Sequence, residues 1–508
     1  MVNMKRIFKC TGKIVVGLFG CITAMLFLFS VFETSKISIS EVVSYHRDFP
    51  VIHLLFLAGI CAAFTFCSAG GFKMRKGTLY GIFLAFMLLW VWMTRLYPKA
   101  DQFIIMDRCK NIAGKNYQDF LPGGYLYNQP HQIFLAYFST LLYSIFGEKY
   151  VFVFQGLNCL AVLGIYEVLS KFYRRLSAKC SGNLFLVLSF LFFPLLFYVT
   201  FVYGTLIGLF FALGAVENCI TYLEKGNVRH ILSAVSLILL ARLFKTNYLI
   251  FFLGIVFVLL YDFVLCGKKA HIAFVCGLLC SMVLCNYSIT VFTEKLTGIH
   301  SKGGMPGELF VMMGLSEGES GPGWWNGFHE LVFMNMDFDV QESKKAAGKI
   351  IREQLEKIRK NPFYEAEFFL KKTLSQWSEP TYESLWIQQQ RESAGKMAWV
   401  SDRLVKGGGR LSQIYILYCD LFQSFLYFGI LLYVIFCHKK ISSGELFLPV
   451  IFIGGFLFHF FWEAKGQYTL PYCVALLPYG VCGYEKLAAK LQEVLERWKG
   501  ESYNKTLE

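Results

Sequence analysis

The sequence predicts an all-α polytopic membrane protein: about twelve transmembrane helices, interfacial helices in the first outside segment, and one large external loop. Composition points there first. Of 508 residues, 56 % are hydrophobic and only 17 % charged, whereas soluble domains carry about 25 % charged residues. The apolar residues also come in runs, and a bilayer core takes roughly 20 of them per helix. Disorder is excluded, because disordered chains are poor in aromatics, and here aromatics reach 18 %. The formal charge is +14. In isolation that suggests nucleic acid, so its placement along the chain has to decide.

The first run is Ile14–Phe32, preceded by Lys5, Arg6, Lys9 and Lys13. It is long for a signal-peptide core, and no small-residue cleavage site follows. A retained helix with a cytoplasmic N-terminus is expected. Further runs centre on 51–68, 79–97, 151–171, 183–202, 206–222, 231–244, 247–265, 272–292, 412–436, 445–461 and 469–484.

Lys and Arg in short loops set the orientation. With the N-terminus inside, the inner loops hold Lys73, Arg75 and Lys76, then Lys171, Arg174, Arg175 and Lys179, then Lys225 and Arg229. Lys268 and Lys269 follow, then Lys439 and Lys440, and the tail adds Lys486, Lys490, Arg497, Lys499 and Lys505. Every inner loop is basic, so much of the +14 orients the chain and none of it marks nucleic acid.

The expected organisation is as follows. Residues 1–97 hold the N-terminal spans with an extra helical hairpin, and 98–150 the first external segment. Residues 151–292 are core helices, and 293–411 a large extracytoplasmic loop. Residues 412–484 are C-terminal spans, and 485–508 a cytoplasmic amphipathic tail on the inner surface. Both termini then lie inside a multi-pass plasma-membrane protein.

The 16 cysteines lie almost all in or beside apolar runs. The long loop has none, so no external disulfide framework is expected. No CxxC pair appears, and Cys276, Cys280 and Cys285 are expected to pack within one helix. His329 and Glu330 lack a second matching pair, and no metal site is expected.

In the first outside segment, Pro98 ends a span and Asp101 follows within a turn of the membrane surface. Phe103, Ile104, Ile105, Cys109 and Ile112 then mark an amphipathic helix. Asp101 and Arg108, seven apart, share a face. Pro122-Gly123-Gly124 make a turn. His131–Phe146 is an apolar stretch short for a span and is expected to be interfacial. A carboxylate so close to lipid is costly unless solvated or paired. It is either a general base or a cap for the helix.

Three stretches carry a resemblance: ADQFIIMDRCKNIAGKNY, GGYLYNQPHQ and LLYSIFGEKY, followed by a span and the basic turn FYRRLSAK. In that order and sidedness they resemble the C-type (GT-C) polytopic glycosyltransferases. The likeness is to the bacterial family 39 type, the protein O-mannosyltransferases and aminoarabinose lipid A transferases. It covers roughly Tyr97–Lys269 well and the last spans loosely. It implies an acceptor-activating carboxylate in the first external loop, by position Asp101. Related families often have a second acidic residue at a later outer turn. Here that turn reads FVYGTLIG, with Tyr203, Gly204 and Thr205 and no carboxylate.

The resemblance implies a polyprenyl-phosphate sugar as donor substrate and a glycan, lipid or protein as acceptor, at the outer face of the bilayer. No other cofactor is implied. The leaving phosphate needs fixed positive charge. Arg242, Lys245 and Lys465 are the candidates, in the turns ARLFKTNY and HFFWEAKGQYTLPY, because cations in apolar surroundings are costly. Snorkelling anchors are the ordinary alternative. Arg108, His131, Tyr203, Asn247, Trp324, Trp325, Glu463 and Tyr468 are candidates for acceptor or sugar contacts. The two tryptophans equally suit interface anchors.

The long loop has a glycine-rich half. Its other half reads as two helices broken at Asn361-Pro362, the first amphipathic. The segment QWSEPTYESLW lines the acceptor side or is a packed loop. Two readings compete with the transferase. One is a non-enzymatic transporter or flippase of lipid-linked sugars, which would show repeated halves and midplane charges. The other is a polysaccharide polymerase or ligase, expected to gather Arg in an external loop.

Overall fold

The protein is an all-α polytopic membrane protein. A computed structural model describes every residue except 1, 67–73, 97, 178–181, 301–302, 387–394, 406–407, 438–441 and 506–508. Tyr97, Lys73, Lys179, Lys439 and Lys440 therefore lie outside the described residues, as do the side chains of 2–9, 398, 405 and 498–505.

Among the described residues, eight helices are long and apolar enough to cross a membrane. They are Cys10–Phe32, Lys76–Thr94, Pro130–Leu176, Thr205–Lys225, Thr246–Cys266, Lys269–Thr297, Arg410–Cys437 and Gly444–Phe461. Counting the broken pair Gly182–Phe190 and Phe193–Thr200, bent by 66°, as one span makes nine among the described residues. Pro194 lies in the first turn after that break, where a missing N–H is tolerated and a continuous helix is not.

The count is thus below the expected twelve, for local reasons. Pro50–Phe66 and Val228–Phe244 have 17 residues each. The latter is also shortened in apolar length by Arg229, His230 and Arg242. The apolar run at 469–484 does not end before the tail. It continues as one 36-residue helix, Leu470–Lys505, so no separate interfacial tail helix forms. The stretch expected to be an interfacial helix, His131–Phe146, forms its own helix, Ile133–Phe146, which ends at Gly147 with φ 56° and ψ −143°. The chain then folds back into Tyr150–Leu176: the Phe138 and Phe154 rings lie 5.8 Å apart, where a continuous helix would separate them by about 24 Å.

The Arg410–Cys437 and Leu470–Lys505 helices meet backbone to backbone. A Cβ on Gly429 would collide with the Gly480 carbonyl, and one on Gly483 with that of Gly429. Small residues permit such approach where no hydrophobic force drives helices together in lipid. Lys269–Thr297 is the opposite case: only 17 % of its apolar window is buried. It gives most of its surface to lipid, and Cys276 and Cys280 are exposed on it and do not pack.

Outside the helices, Glu33–Ile37 and Val43–Arg47 form an antiparallel hairpin. The long loop supplies Val340–Lys360 and Pro362–Trp377, separated at Asn361-Pro362. Asn361 caps the second by accepting from the Tyr364 amide. Hairpin, loop and the 462–468 turn are joined by backbone bonds. Ser35 N–H donates to Ser378 O at 2.9 Å, Val43 N–H to Ser320 O at 2.9 Å, and Ala464 N–H to Gly323 O at 2.8 Å. Buried Lys372 donates to the carbonyls of Gly314 and Trp462, and burial lowers its pKa to about 7. These ties hold the 462–468 turn against the ends of the spans, where the site forms.

Candidate functional site: a carboxylate and lysine basin

Asp101 opens the helix Asp101–Ala113. Ala100 holds the cap position, with φ 50° and ψ −134° and no side-chain cap bond. Asp101 therefore does not cap this helix; it sits in its first turn, at the positive end of the macrodipole. A positive φ at alanine is strained, and such strain persists only where surrounding structure holds it. The next residue does part of that holding: Gln102 is buried, and its Oε1 accepts from Val202 N–H at 2.7 Å. The helix start is thereby fastened to the turn that carries Tyr203.

Asp101 is exposed to solvent, with protein crowded around its carboxylate. Crowding by protein raises its pKa, and Lys465 and then Lys245 pull it back. The Tyr125 hydroxyl faces the carboxylate within hydrogen-bonding range.

Lys245 stands in extended backbone between Val228–Phe244 and Thr246–Tyr248. Its Nζ donates to Thr205 Oγ1 at 3.0 Å. It lies 5.0 Å from the Tyr203 ring centre and 5.6 Å from that of Tyr468. Burial lowers its pKa to about 8, against the pull of Asp101, Glu383 and Glu463. The glycine before Thr205 is required here, because a Cβ on Gly204 would run into the Phe244 carbonyl. Tyr203 is buried, and its hydroxyl accepts from Gln132 Nε2. Asn247 borders the same turn with Lys245, Gln467 and Tyr468.

Lys465 pairs with Glu41 and lies 5.9 Å from the Trp386 ring centre. Burial opposes its charge, but Glu41, Glu463 and Glu383 outweigh that and raise its pKa. Glu463 is buried and accepts from the Tyr468 hydroxyl at 2.9 Å. Its pKa is raised by burial, with Lys465 opposing.

Of the remaining candidates, His131 is exposed and within electrostatic range of Lys245 and Arg242. Arg242 itself donates to Asn286 Oδ1, and its contacts lie with the neighbouring helix. Arg108 is held by Asp107 at 2.6 Å and Asp119 at 2.7 Å, a surface cluster that ties the helix to its following turn. Trp324 is fully buried, with Nε1 donating to Ser375 Oγ at 2.9 Å. It is a packing residue and offers no face to a sugar or to the membrane interface. Trp325 is exposed, beside Asn326 and Phe328 on the surface of the long loop.

Three members of the basin were not foreseen, Glu41, Lys99 and Tyr125; a fourth, Glu383, belongs to the segment QWSEPTYESLW, expected to line the acceptor side or to pack. Glu41 sits at φ 64° in the hairpin turn. Glu383 follows Tyr382, and both have positive φ, 55° and 52°. Two strained residues in a row are held by the Glu379 carboxylate, which accepts from the amides of Thr381 at 3.1 Å and Glu383 at 2.8 Å. Burial raises the pKa of Glu383, with Lys465 opposing. Lys99 is buried, its Nζ has no hydrogen-bond partner, and it lies 5.0 Å from the Trp386 ring that Lys465 also approaches. Burial lowers it to about 8. The segment 377–386 is thus both packed and basin-lining. An unpaired charge in an otherwise ordinary loop was the available signal for Lys99; nothing in the pattern around Glu41 or Tyr125 distinguishes them.

No family model matches the chain, and no curated protein matches it. Among solved structures, the crystal structure of ArnT from Cupriavidus metallidurans bound to undecaprenyl phosphate is similar to it. The likeness covers 80 % of this chain and 77 % of that one, at 14 % identity and a TM-score of 0.33. A superposition that loose fixes neither site nor substrate, and the chemistry of the chain has to be read from the basin's own residues.

Proposed function

We propose that the chain is a membrane glycosyltransferase. It moves a sugar from a polyprenyl-phosphate donor to an acceptor hydroxyl on the extracytoplasmic side, with inversion at the anomeric carbon. The observation that carries this reading is a solvent-exposed Asp101 within electrostatic range of Lys465 and Lys245 at the helix ends. An acceptor hydroxyl is far too weak an acid to ionise near neutrality, so its proton must pass to a base during attack. Asp101 takes that proton. The acceptor oxygen bonds to the anomeric carbon, and the bond from that carbon to the phosphate oxygen breaks. The phosphate leaves with the bonding electrons, and Lys245 and Lys465 meet the charge that develops on it. Protein crowded around Asp101 raises its pKa, which makes it a stronger base than a freely solvated aspartate. A flippase would place its charges near the bilayer midplane, whereas these stand at the ends of spans.

The pH dependence has a defined sign. Asp101 must be ionised, so activity rises with pH through a pKa above the ordinary aspartate range. Lys245 must be charged, so activity falls as pH rises through about 8. Both limbs belong to the free enzyme and are read in kcat/KM. The test is transfer of labelled sugar from polyprenyl-phosphate donors by membranes containing the chain. A bell-shaped kcat/KM is expected, with its basic limb moved upward in Lys245→Arg. Label that never leaves the lipid with any donor tried, or a basic limb indifferent to Lys245→Arg, contradicts the proposal.

A further inference from the structure

The helix Leu249–Cys266 begins beside Lys245 and ends about 27 Å away at 1.5 Å per residue, at the far side of the bundle. There Asp262 and Cys266, four apart, share a face. Gly267 then adopts the left-handed conformation, φ 74°, and the chain turns back into Lys269–Thr297. That turn returns His271 onto the face carrying Asp262 and Cys266. Cys266 Sγ lies 3.3 Å from Asp262 Oδ2 and 3.9 Å from His271 Nδ1, and Nδ1 lies 3.5 Å from Oδ2.

These three lengths decide the matter. Tetrahedral zinc binds sulfur at about 2.3 Å and nitrogen or carboxylate oxygen at about 2.0–2.2 Å, which puts neighbouring donors roughly 3.3–3.6 Å apart. The observed triangle needs adjustments of only a few tenths of an ångström. We propose that Asp262, Cys266 and His271 form a binding site for a borderline-soft divalent cation, zinc foremost, with water as the fourth ligand.

The donor set fits that class. Thiolate and imidazole select zinc over magnesium or calcium. Asp262 and the Cys266 thiolate together balance the two positive charges, and the thiol proton is released to solvent as the metal binds. The His271 ring is buried and held edge-on by Tyr222 at 5.5 Å and 75°, which fixes its direction. Access comes from two sides. Cys266 is exposed, and Asp262 also lines a cavity of about 410 Å³ shared with Arg175, Glu224 and Glu445.

A second cluster, Asp48, His53 and Asp420, differs in the decisive respect. It offers no thiolate, and His53 and Asp420 are both buried, whereas Cys266 opens the other site to solvent. The site at Asp262 lies far from the basin, so its expected effect is on the Gly267 turn and on stability.

The experiment uses the full chain in detergent, stripped with a chelator and titrated with cobalt(II) or zinc(II) alone. Cobalt should give a thiolate-to-metal charge-transfer band and tetrahedral d–d bands. Cys266→Ser should lose the charge-transfer band, and His271→Gln should weaken binding at least about tenfold. Zinc should raise the Tm of the wild type by more than that of either variant at the same concentration. Asp101→Asn should keep the full metal signal, so failure here is separable from failure of the transferase reading. The absence of a thiolate band in the wild type, or equal metal binding and equal zinc stabilisation in all three chains, would overturn the site and leave a hydrogen-bonded helix turn.

Discussion

Asp101→Asn is expected to lower sugar transfer by about 10²–10⁴-fold and to leave the protein as stable as the wild type or more so. Asparagine keeps the shape of aspartate and can still meet the Tyr125 hydroxyl, but it cannot take a proton. The stability half of the expectation follows from sign. Protein crowded around the exposed carboxylate raises the pKa of Asp101, so the folded state disfavours the ionised form relative to the unfolded chain. At neutral pH the ionised carboxylate therefore costs stability, and its neutral isostere removes that cost. A residue that lowers stability where it sits and is needed for turnover shows the trade-off expected of a catalytic group. Thermal unfolding in detergent, run beside the transfer assay, separates the two effects. A variant with lost activity and a lowered Tm would point instead to a structural role.

Lys465→Met is expected to damage both stability and donor binding, for different reasons. Its ammonium faces Glu41, Glu463 and Glu383, and its ion pair with Glu41 is largely out of solvent, at 14 % and 17 % side-chain exposure. Removing one partner of a buried pair costs on the order of 3 kcal/mol, because the other charge is stranded. The residual exposure and uptake of a proton by a carboxylate will moderate this. The double variant Glu41→Gln with Lys465→Met removes the stranded charge as well. It should recover most of the lost Tm while donor binding stays at least about tenfold weaker, since the phosphate still lacks its cation. Recovery of both by the double variant would make Lys465 a structural residue only.

The general architecture was legible because a hydrocarbon core leaves little choice of backbone structure: every N–H and C=O must be satisfied within the segment. Span number was less legible. A run such as 231–244 meets a hydropathy criterion, yet it belongs to a 17-residue helix flanked by charges, and packing among neighbours lets it stay short.

The site divides in the same way. Asp101, Lys245 and Lys465 stand out because each charge interrupts an apolar stretch, where it must be solvated, paired or used. Glu41 and Glu383 are set among polar neighbours and are ordinary until folding brings a hairpin turn and a strained loop to the same basin. Trp324 shows the reverse. Its place after a glycine turn suggested an exposed aromatic, but the bridge to Ala464 draws it inside. The Asp262, Cys266 and His271 cluster was missed because its spacing matches no common metal motif. Only the reversal at Gly267 brings the histidine back to the other two.

Recognition of the lipid-linked phosphate by the lysines facing Asp101 is the centre of this account. It is tested most directly by thermal unfolding of the purified chain with polyprenyl phosphate, and with polyprenol, which has the same tail and no phosphate. The phosphate form should raise the Tm in a concentration-dependent way, polyprenol should not, and Lys245→Met should abolish the difference. Equal shifts with both lipids, or a phosphate-dependent shift unchanged in Lys245→Met, would contradict it.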